Sequence, residues 1–395
     1  MPPVNISAFL LTLLQLIMLR RRIRVRRERQ RRLRRAVVAI LARRSQTFRH
    51  QSQYCQVNRC VPVLAMCFDG QSDLRPDFRL SRPTILHLIE ILRSPSDHGW
   101  GFDLEILVFL FWLASATSYR VVSRAFGIPR STIHDIVHKV SKTVNGLKNR
   151  VICLPPQDDL ARIGAGFENL AGSAAFNHVV GSIDGCHIRI KPPSHDAQCY
   201  FNRKLFYSVQ MQAVCDHQCQ FLDVFIGYPG SVHDSRVLKN SPLFVQSLYP
   251  PEGYCLLGDG GYPCLSQPIT LITPYREPVR GAVEARFNRH HSKARSIIER
   301  AFGIMKARWR SVFFKALEVS PVFSVEVVAC CAILHNFCLR DGDTMEPVEE
   351  ALRPDDGDGQ LQPDSQCGER LRVRMAAALS APVENLPALD DHDYI

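Results

Sequence analysis

The stretch VVGSIDGCHIRI, Val179 to Ile190, constrains the fold most, because it is apolar and β-prone and yet carries a carboxylate, Asp184, at its centre. Apolar and polar residues alternate toward its end, which predicts a half-buried β-strand. A buried carboxylate without a partner costs several kcal/mol. Asp184 must therefore pair with a cationic group, bind a metal ion, or lie where the strand ends and water reaches it.

The residues after this stretch predict an ordered series of strands and helices. The segments YSVQMQAV and QFLDVFIGYPGS carry strand patterns on either side of the turn DHQC, which predicts a three-stranded meander. A helix is predicted from Asp234, a short strand ends at Asp259, and two long helices follow, one basic and one apolar. In the apolar helix, His335 and Asn336 are expected to be buried hydrogen-bonding groups. The pattern over 175–340 is that of an α/β domain.

Four carboxylates occupy comparable places in this series. Asp184 lies within or at the end of the first strand, Asp234 follows the third, Asp259 ends the fourth, and Glu299 lies in the basic helix. This order of elements predicts that the first and fourth strands lie side by side at one sheet edge, with the helix glutamate above them. Hard divalent cations prefer carboxylate oxygens, so the cluster predicts a Mg²⁺ or Mn²⁺ site. The alternative for Glu299 is a simple ion pair with Arg295.

A site of this kind suits hydrolysis of a phosphodiester bond. Two divalent ions about 3.5–4 Å apart can activate a water molecule and stabilise the leaving oxygen. His233, beside Asp234, is either a proton shuttle or a structural residue. The basic helix is expected to carry three cations on one stripe that faces a phosphate backbone: Arg295, Lys306 and Arg310.

A helix-turn-helix pattern precedes the α/β domain, in a region over 70–150 that reads as mostly helical. A short helix over Tyr119–Phe126 is followed by Gly127, which permits a turn, and by a second helix that Ser131 or Thr132 is expected to cap. The alternative is a plain helical hairpin without a role in binding. Residues near the start of the second helix are expected to contact DNA: Arg130, Ser131, Thr132 and His134.

Charge is distributed unevenly along the chain. Of the formal net charge of +11, residues 1–49 carry +13 and residues 341–395 carry −10. The basic arm, over 1–50, is expected to be disordered or helical. It favours DNA as the partner and the nucleus as the location, with the cytoplasm as the alternative location. The acidic tail, over 341–395, is expected to be disordered. The apolar run Ile6–Leu19 is short for a membrane span, so no membrane partner is expected, although an anchor there is the remaining alternative.

The chain contains fourteen cysteines. They do not form two CxxC pairs at the spacing of a zinc site, and several lie within apolar runs such as VVACCAILHNFC. This usage favours reduced, buried cysteines in an intracellular protein, with a structural zinc site as the weaker alternative.

Seven motifs between Gly181 and Cys338 follow one another in a specific order: GSIDGCHIRIKPP, YFNRKLFYSVQMQAVCD, YPGSVHDSRVLKNSPLF, LLGDGGYP, ITPYRE, FNRHHSKARSIIERAFGIMKARWR and CAILHNFC. In these motifs the chain resembles the PIF/Harbinger DDE transposases, including their host-domesticated nucleases, and the resemblance extends from about residue 75 to 340. The resemblance implies a ribonuclease H-like fold, in which a mixed sheet is flanked by helices and preceded by an all-α helix-turn-helix region. It also implies divalent-metal nuclease chemistry on DNA.

The family's metal-site acids fall in the motifs IDG, GSxxD, GDxGY and IExxFG. This implies Asp184, Asp259 and Glu299 as the catalytic triad and Asp234 as an additional metal ligand. The family also implies a separate Myb/SANT-like protein that helps DNA binding and nuclear entry, and a homo-oligomer is a further expectation. Cys186 departs from the threonine that usually follows the IDG motif, and the basic arm lies outside the family pattern.

Together these features predict a metal-dependent DNA endonuclease of transposase origin, in which strand transfer after cleavage stays open. The alternative is a domesticated DNA-binding or adaptor protein that keeps the fold without physiological catalysis.

Overall fold

The computed structural model describes residues 71–93, 100–279, 281–348 and 363–380. The predicted basic arm and the apolar run Ile6–Leu19 lie outside the described residues. The chain divides into two compact units. Among the described residues, the first covers 71–93, 100–112 and Thr117–Val137, and the second covers Leu113–Ala116 and the residues from His138 on.

The first unit is helical, as predicted for residues 70–150. The second helix starts as its sequence predicts, because the Ser81 side chain accepts a hydrogen bond from the backbone N–H of Thr84 and Pro83 lies in the first turn. The third helix is almost wholly apolar, and its residues Ile106 to Leu110 are buried. The helices are α1 (Arg75–Phe78), α2 (Arg82–Leu92), α3 (Phe102–Ser115), α4 (Tyr119–Phe126) and α5 (Arg130–Asn145), of which α3 and α5 continue into the second unit.

The turn between α4 and α5 has the predicted glycine geometry. Gly127 ends α4 with a φ of 68°, in the left-handed region that a residue without a side chain adopts most easily. The predicted cap of α5 is wrong, because the helix begins at Arg130 and its first carbonyl acceptor is that of Pro129, 3.0 Å from the N–H of Ile133. Proline has a backbone conformation that suits the start of a helix, and here Pro129 precedes the first helical residue. Ser131 and Thr132 are therefore the second and third residues of the helix and do not cap it.

The second unit is built on a mixed five-stranded sheet, as predicted for the fold class. The strands are ordered β3-β2-β1-β4-β5, with β1, β2 and β3 antiparallel and β4 and β5 parallel to β1. The fifth strand was not predicted, because two residues carry no periodic pattern. The strands are β1 (Val179–Arg189), β2 (Ser208–Cys215), β3 (Phe221–Pro229), β4 (Cys255–Leu257) and β5 (Leu271–Ile272).

Helices flank this sheet. The long basic helix α10 and helix α7 pack against β1, and the apolar helix α12 packs against β3. The helices of this unit after α5 are α6 (Lys148–Val151), α7 (Leu160–Ala171), α8 (Asp234–Lys239), α9 (Pro242–Val245), α10 (Ala282–Arg308), α11 (Arg310–Phe313), α12 (Pro321–Arg340) and α13 (Gln366–Ser380).

Helix α12 is a core helix. Among the described residues it alone is long and apolar enough to cross a membrane, and 72% of its most apolar stretch is buried inside the protein. His335 Nε2 donates to the carbonyl of Cys219 over 2.8 Å, and Asn336 pairs with the backbone N–H and carbonyl of Phe221. The prediction that these two residues are buried hydrogen-bonding groups is therefore confirmed.

The acidic tail departs from the prediction of disorder over 341–395. Residues Gln366–Ser380 form α13, which packs on α10 and β5. Arg372 is buried there, 2.9 Å from a carboxylate oxygen of Asp364 and with its guanidinium 4.6 Å from the centre of the Tyr275 ring. The prediction of disorder was wrong because it depended on the overall composition of the segment. A short helix such as α13 needs only a few buried residues to pack against the rest of the protein.

Candidate active site

The register of the parallel β1–β4 pair places Asp184 and Asp259 at the same level of the sheet. Ser182 of β1 and Leu257 of β4 are the last two residues that pair, and Asp184 and Asp259 each lie two residues further toward the C-terminus. Strand β1 continues to Arg189 beside β2, so Asp184 lies within its strand. Strand β4 ends at Leu257, and the backbone after it forms a tight turn in which the Gly261 N–H donates to Asp259 Oδ1 over 3.1 Å.

Asp234 reaches the same place from the start of helix α8. Its carboxylate accepts a hydrogen bond from the side-chain amide of Gln210, and its backbone carbonyl accepts one from Gln212 Nε2 at 3.2 Å. The same Gln212 amide donates to the hydroxyl of Tyr262 over 2.9 Å. A β-carbon on Gly185 would collide with Asp234 Oδ1, so the glycine of the IDG motif is required for this close approach.

The three aspartates form one cluster. Each offers one carboxylate oxygen within 4.8 Å of the others, and all three side chains are half-buried. Burial raises the pKa of Asp184 to about 6, against the opposing effects of the Arg295 charge and of the Gly185 N–H, which donates to Asp184 Oδ1 over 2.6 Å. Within the described residues, this is the one group of His, Cys, Asp or Glu side chains arranged to hold a metal ion. The all-carboxylate donor set fits a hard divalent cation.

Glu299 lies next to this cluster and outside the set of three. Its carboxylate is 2.8 Å from Arg295 on the preceding turn of α10, and its side chain is 46% exposed. Burial is the largest cause of the raised pKa of Asp184, and the negative charge of Glu299 adds to it. The structure therefore shows the ion pair that the simpler interpretation predicts, at a position where Glu299 can also approach the cluster.

The predicted cationic stripe on α10 is not continuous. Arg295 is half-buried beside the carboxylates, whereas the side chain of Lys306 is buried and lowers the pKa of Asp184 less than Arg295 does. Arg308, also buried, ends α10 in an ion pair with Asp343 at 3.5 Å. Arg310 is exposed, on the separate helix α11. Lys306 was predicted wrongly as a surface residue because the spacing of charges alone does not show that the end of α10 is buried.

The predicted DNA-contacting residues lie at the start of α5, within the first unit. Arg130 and Ser131 are exposed and Thr132 is half-buried. His134 is exposed, and its Nδ1 lies 3.2 Å from Asp135. These positions suit contact with a ligand, and their role stays a prediction.

Three residues that support the cluster were not predicted. Gln210 and Gln212 point to the carboxylate side of β2 and are buried, although alternation along the strand suggested solvent-facing polar residues. The signal that could have found them is two amides, two positions apart, on the strand next to the acidic one. Burial and the charges of Asp234, Asp184 and Asp259 raise the pKa of Tyr262, so its hydroxyl keeps its proton.

Comparison of the sequence with known proteins shows which family the chain is similar to. Residues 183–336, which contain the four predicted acids, match the family model described as DDE superfamily endonuclease. The chain is 30% identical over 270 residues to the Mus musculus protein named "Putative nuclease HARBI1", over 66% of this chain and 76% of that protein. A Rattus norvegicus protein of the same name is 28% identical over 309 residues, covering 74% and 86%. "Protein ALP1-like" of Arabidopsis thaliana is 28% identical over 290 residues, covering 66% and 69%. No solved structure matches the chain at a significant level.

Proposed function

Because the chain belongs to the Harbinger transposase-derived nucleases, with a DDE superfamily endonuclease domain, we propose that it is a divalent-metal-dependent DNA endonuclease. The observation that carries the proposal is the approach of three aspartates to within 4.8 Å at the end of the parallel β1–β4 pair. Three ionised carboxylates so close together repel one another, and a bound cation offsets this repulsion.

Asp184, Asp234 and Asp259 would hold the metal, Mg²⁺ or Mn²⁺, and Glu299 would complete the set after leaving Arg295. Such ions, when bound, activate water and stabilise the leaving oxygen of a phosphodiester. The residues of the chain supply the geometry. Gln210 and Gln212 hold Asp234 in place, and the N–H groups of Gly185 and Gly261 orient the other two carboxylates.

Arg295 contributes a positive charge at the same place. Its guanidinium is half-buried, and the charges of Glu299, Asp184 and Asp259 favour its protonated form, against the effect of its burial. Once Glu299 turns to the metal, Arg295 is positioned to contact a phosphate oxygen of the substrate. With Arg295 on the phosphate and the carboxylates on the metal, we assign the catalytic role to Asp184, Asp259 and Glu299.

The proposal extends to binding. The start of α5, with Arg130, Ser131 and Thr132, would contact DNA, and Arg310 would add a phosphate contact. Nuclear localisation, a Myb/SANT-like partner protein and a homo-oligomer are part of the proposal as properties implied by the family. A pull-down with tagged full-length chain, compared with a variant lacking residues 1–49, tests the partner and the role of the basic arm together.

The test of the nuclease is cleavage of supercoiled plasmid by the purified chain with Mg²⁺, with Mn²⁺ and with chelator. Metal-dependent nicking that disappears in Glu299→Gln is the expected result, because the neutral amide lacks the negative charge of the carboxylate and binds a divalent cation more weakly. The matched control is Glu252→Gln, an exposed glutamate outside the site, which should cleave at the wild-type rate. Ligation of a cut oligonucleotide into the plasmid measures whether strand transfer accompanies cleavage.

A second function is favoured by one observation, the ion pair between Glu299 and Arg295. If that pair persists in the presence of metal and DNA, the chain is a DNA-binding adaptor that keeps the nuclease fold. Titration with Mn²⁺ separates the two functions. An adaptor binds DNA equally well with and without metal and does not nick it, even with the partner protein present.

A further inference from the structure

The loop between β1 and β2 ends in an exposed turn, Asn202–Phe206, whose shape one buried side chain determines. Asn202 is 2% exposed, and its Nδ2 donates to Ser208 Oγ over 2.9 Å. Its Oδ1 accepts from the backbone N–H groups of Lys204 at 3.0 Å and Phe206 at 3.2 Å. Because a buried amide secures both sides of this Asn202 turn, the three residues at its tip are presented in a fixed arrangement.

The Asn202 turn is positively charged and adjoins the carboxylate cluster. Arg203 and Lys204 are exposed, and Arg203 Nη2 lies 2.6 Å from Nε2 of His233, the residue before Asp234. The guanidinium of Arg189 stacks on the Phe206 ring, 3.9 Å from its centre. Cationic side chains at such a place face the phosphates on either side of a bond held at the aspartates.

The tip residue, Leu205, has two unfavourable properties. Its side chain is 77% exposed, more than any other large hydrophobic side chain among the described residues. Its φ is 61°, a left-handed conformation that glycine or asparagine adopts at lower cost. The leucine side chain therefore contributes little to the packing of the fold, and backbone strain of this kind clusters at functional sites.

We propose that the Asn202 turn is a DNA wedge: Arg203 and Lys204 bind phosphates beside the cleaved bond, and Leu205 inserts between stacked bases there. An apolar tip directly after two exposed cations is complementary to a base stack that is flanked by phosphates. Apolar side chains inserted at a base step unstack it and kink the duplex. The kink would expose the cleaved phosphate to the aspartates. The inference deepens the proposed nuclease function and depends on it, since it specifies a locally unstacked duplex as the substrate.

The experiment uses the full chain and a short mixed-sequence duplex in the presence of EDTA, so that neither metal nor cleavage enters the readout. Permanganate modification of thymines measures unstacking, and gel shift measures affinity. The wild type is expected to bind and to make thymines reactive. Leu205→Asn should abolish the reactivity and weaken binding roughly tenfold, from the loss of one buried leucine, whereas Leu205→Phe should retain both.

Two controls separate this result from a folding defect. Val322→Asn changes a similarly exposed residue, 74% exposed, on helix α12, and should behave as wild type. Leu205→Gly removes the side chain and relieves the backbone strain, so its thermal midpoint should equal or exceed that of wild type while the permanganate reactivity is lost. Arg203→Ala and Lys204→Ala should each lower the slope of log affinity against log salt by roughly 1.

Wild-type behaviour of Leu205→Asn, or a wild type that leaves thymines unreactive or does not bind the duplex, overturns the wedge. These outcomes differ from failure of the nuclease proposal, which shows as absent metal-dependent nicking. Nicking with no effect of Leu205→Asn retains the nuclease and removes the wedge. Unstacking that depends on Leu205, without nicking, retains the wedge as a DNA contact and favours the adaptor.

Discussion

The carboxylate of Asp234 occupies the space that a side chain on Gly185 would need. The Nε2 atom of Gln210, which donates to the Asp234 carboxylate, lies 3.1 Å from the position of a β-carbon on Gly185 and fills the same space. The missing side chain lets helix α8 place its carboxylate over β1, next to Asp184. The glycine of the IDG motif is therefore part of the site and not only of the strand.

We predict that Gly185→Ala lowers Mn²⁺ affinity at least tenfold, because the added methyl group displaces Asp234 from the cluster. The overpacking should also destabilise the fold, by about 1–3 kcal/mol. Isothermal calorimetry with Mn²⁺ and urea unfolding measure the two effects. Gly281→Ala is the control, because a β-carbon there meets no atom within 4 Å. Unchanged Mn²⁺ binding in Gly185→Ala would contradict the assigned role of Asp234.

A second prediction concerns charge repulsion among the aspartates. In EDTA, Asp184→Asn should be more stable than wild type, by about 1 kcal/mol, because it removes one of three carboxylate charges within 4.8 Å. In saturating Mn²⁺ the order should reverse, since the wild type gains about 2.7 kcal/mol at a hundred times its Kd and the variant gains little.

Thermal unfolding in both conditions checks this reversal. Asp223→Asn is the comparison, because Asp223 lies on β3 outside the cluster, and this variant should therefore keep the stabilisation that wild type gains in Mn²⁺. An Asp184→Asn variant that is less stable than wild type in EDTA would mean that Asp184 serves the fold and not a cation.

The sequence predicted the main features of the site because they depend on the order of elements. An acidic residue in the first strand and one after the fourth are brought together by any sheet that pairs these strands in parallel, and Ser182 and Leu257 pair in this way. Asp234 was identified as an additional metal ligand from the GSxxD motif of the family, because the order of elements did not fix its place beside the other two. The motifs of the family then supplied the assignment of Asp184, Asp259 and Glu299.

The remaining features depend on tertiary packing that periodicity does not show. Gln210 and Gln212 alternate with apolar residues as solvent-facing side chains do, yet helix α8 covers them. Lys306 belongs to a regular series of charges, yet the end of α10 is buried. Helix α13 lies in an acidic, proline-containing segment whose composition suggests disorder, yet Arg372 anchors it.

The anchoring of α13 gives a third prediction. Arg372→Met should destabilise the protein by about 3 kcal/mol and free the helix, because it leaves Asp364 partly buried without its ion pair at 2.9 Å. Hydrogen exchange over residues 366–380 should rise to the rate of an unprotected segment. Arg374→Met, an exposed position on the same helix, should leave exchange and stability unchanged. Equal exchange in the two variants would show that apolar packing alone holds α13.

A fourth prediction concerns acid sensitivity. Burial lowers the pKa of His335 to about 4, and the neighbouring Arg308 charge adds to this, against the hydrogen bond to the Cys219 carbonyl. The unfolded chain therefore binds a proton near pH 6.5 that the folded chain does not bind until about pH 4. Stability should be complete above pH 6.5 and fall as the pH drops toward 4, by up to about 3 kcal/mol.

The variant His335→Gln keeps a side-chain donor for the Cys219 carbonyl and removes the titrating group. It should lose roughly half of the acid-dependent slope, because burial also lowers the pKa of His291 to about 4 and that residue remains. Urea unfolding between pH 4.5 and 7.5 measures the slope, and His134→Gln, at an exposed position, is the control. A slope in His335→Gln equal to that of wild type would mean that His335 is charged in the folded state or that other groups dominate the acid response. The first case is distinguished by the ¹⁵N chemical shifts of the His335 ring, which separate a neutral imidazole with its proton on Nε2 from a charged one.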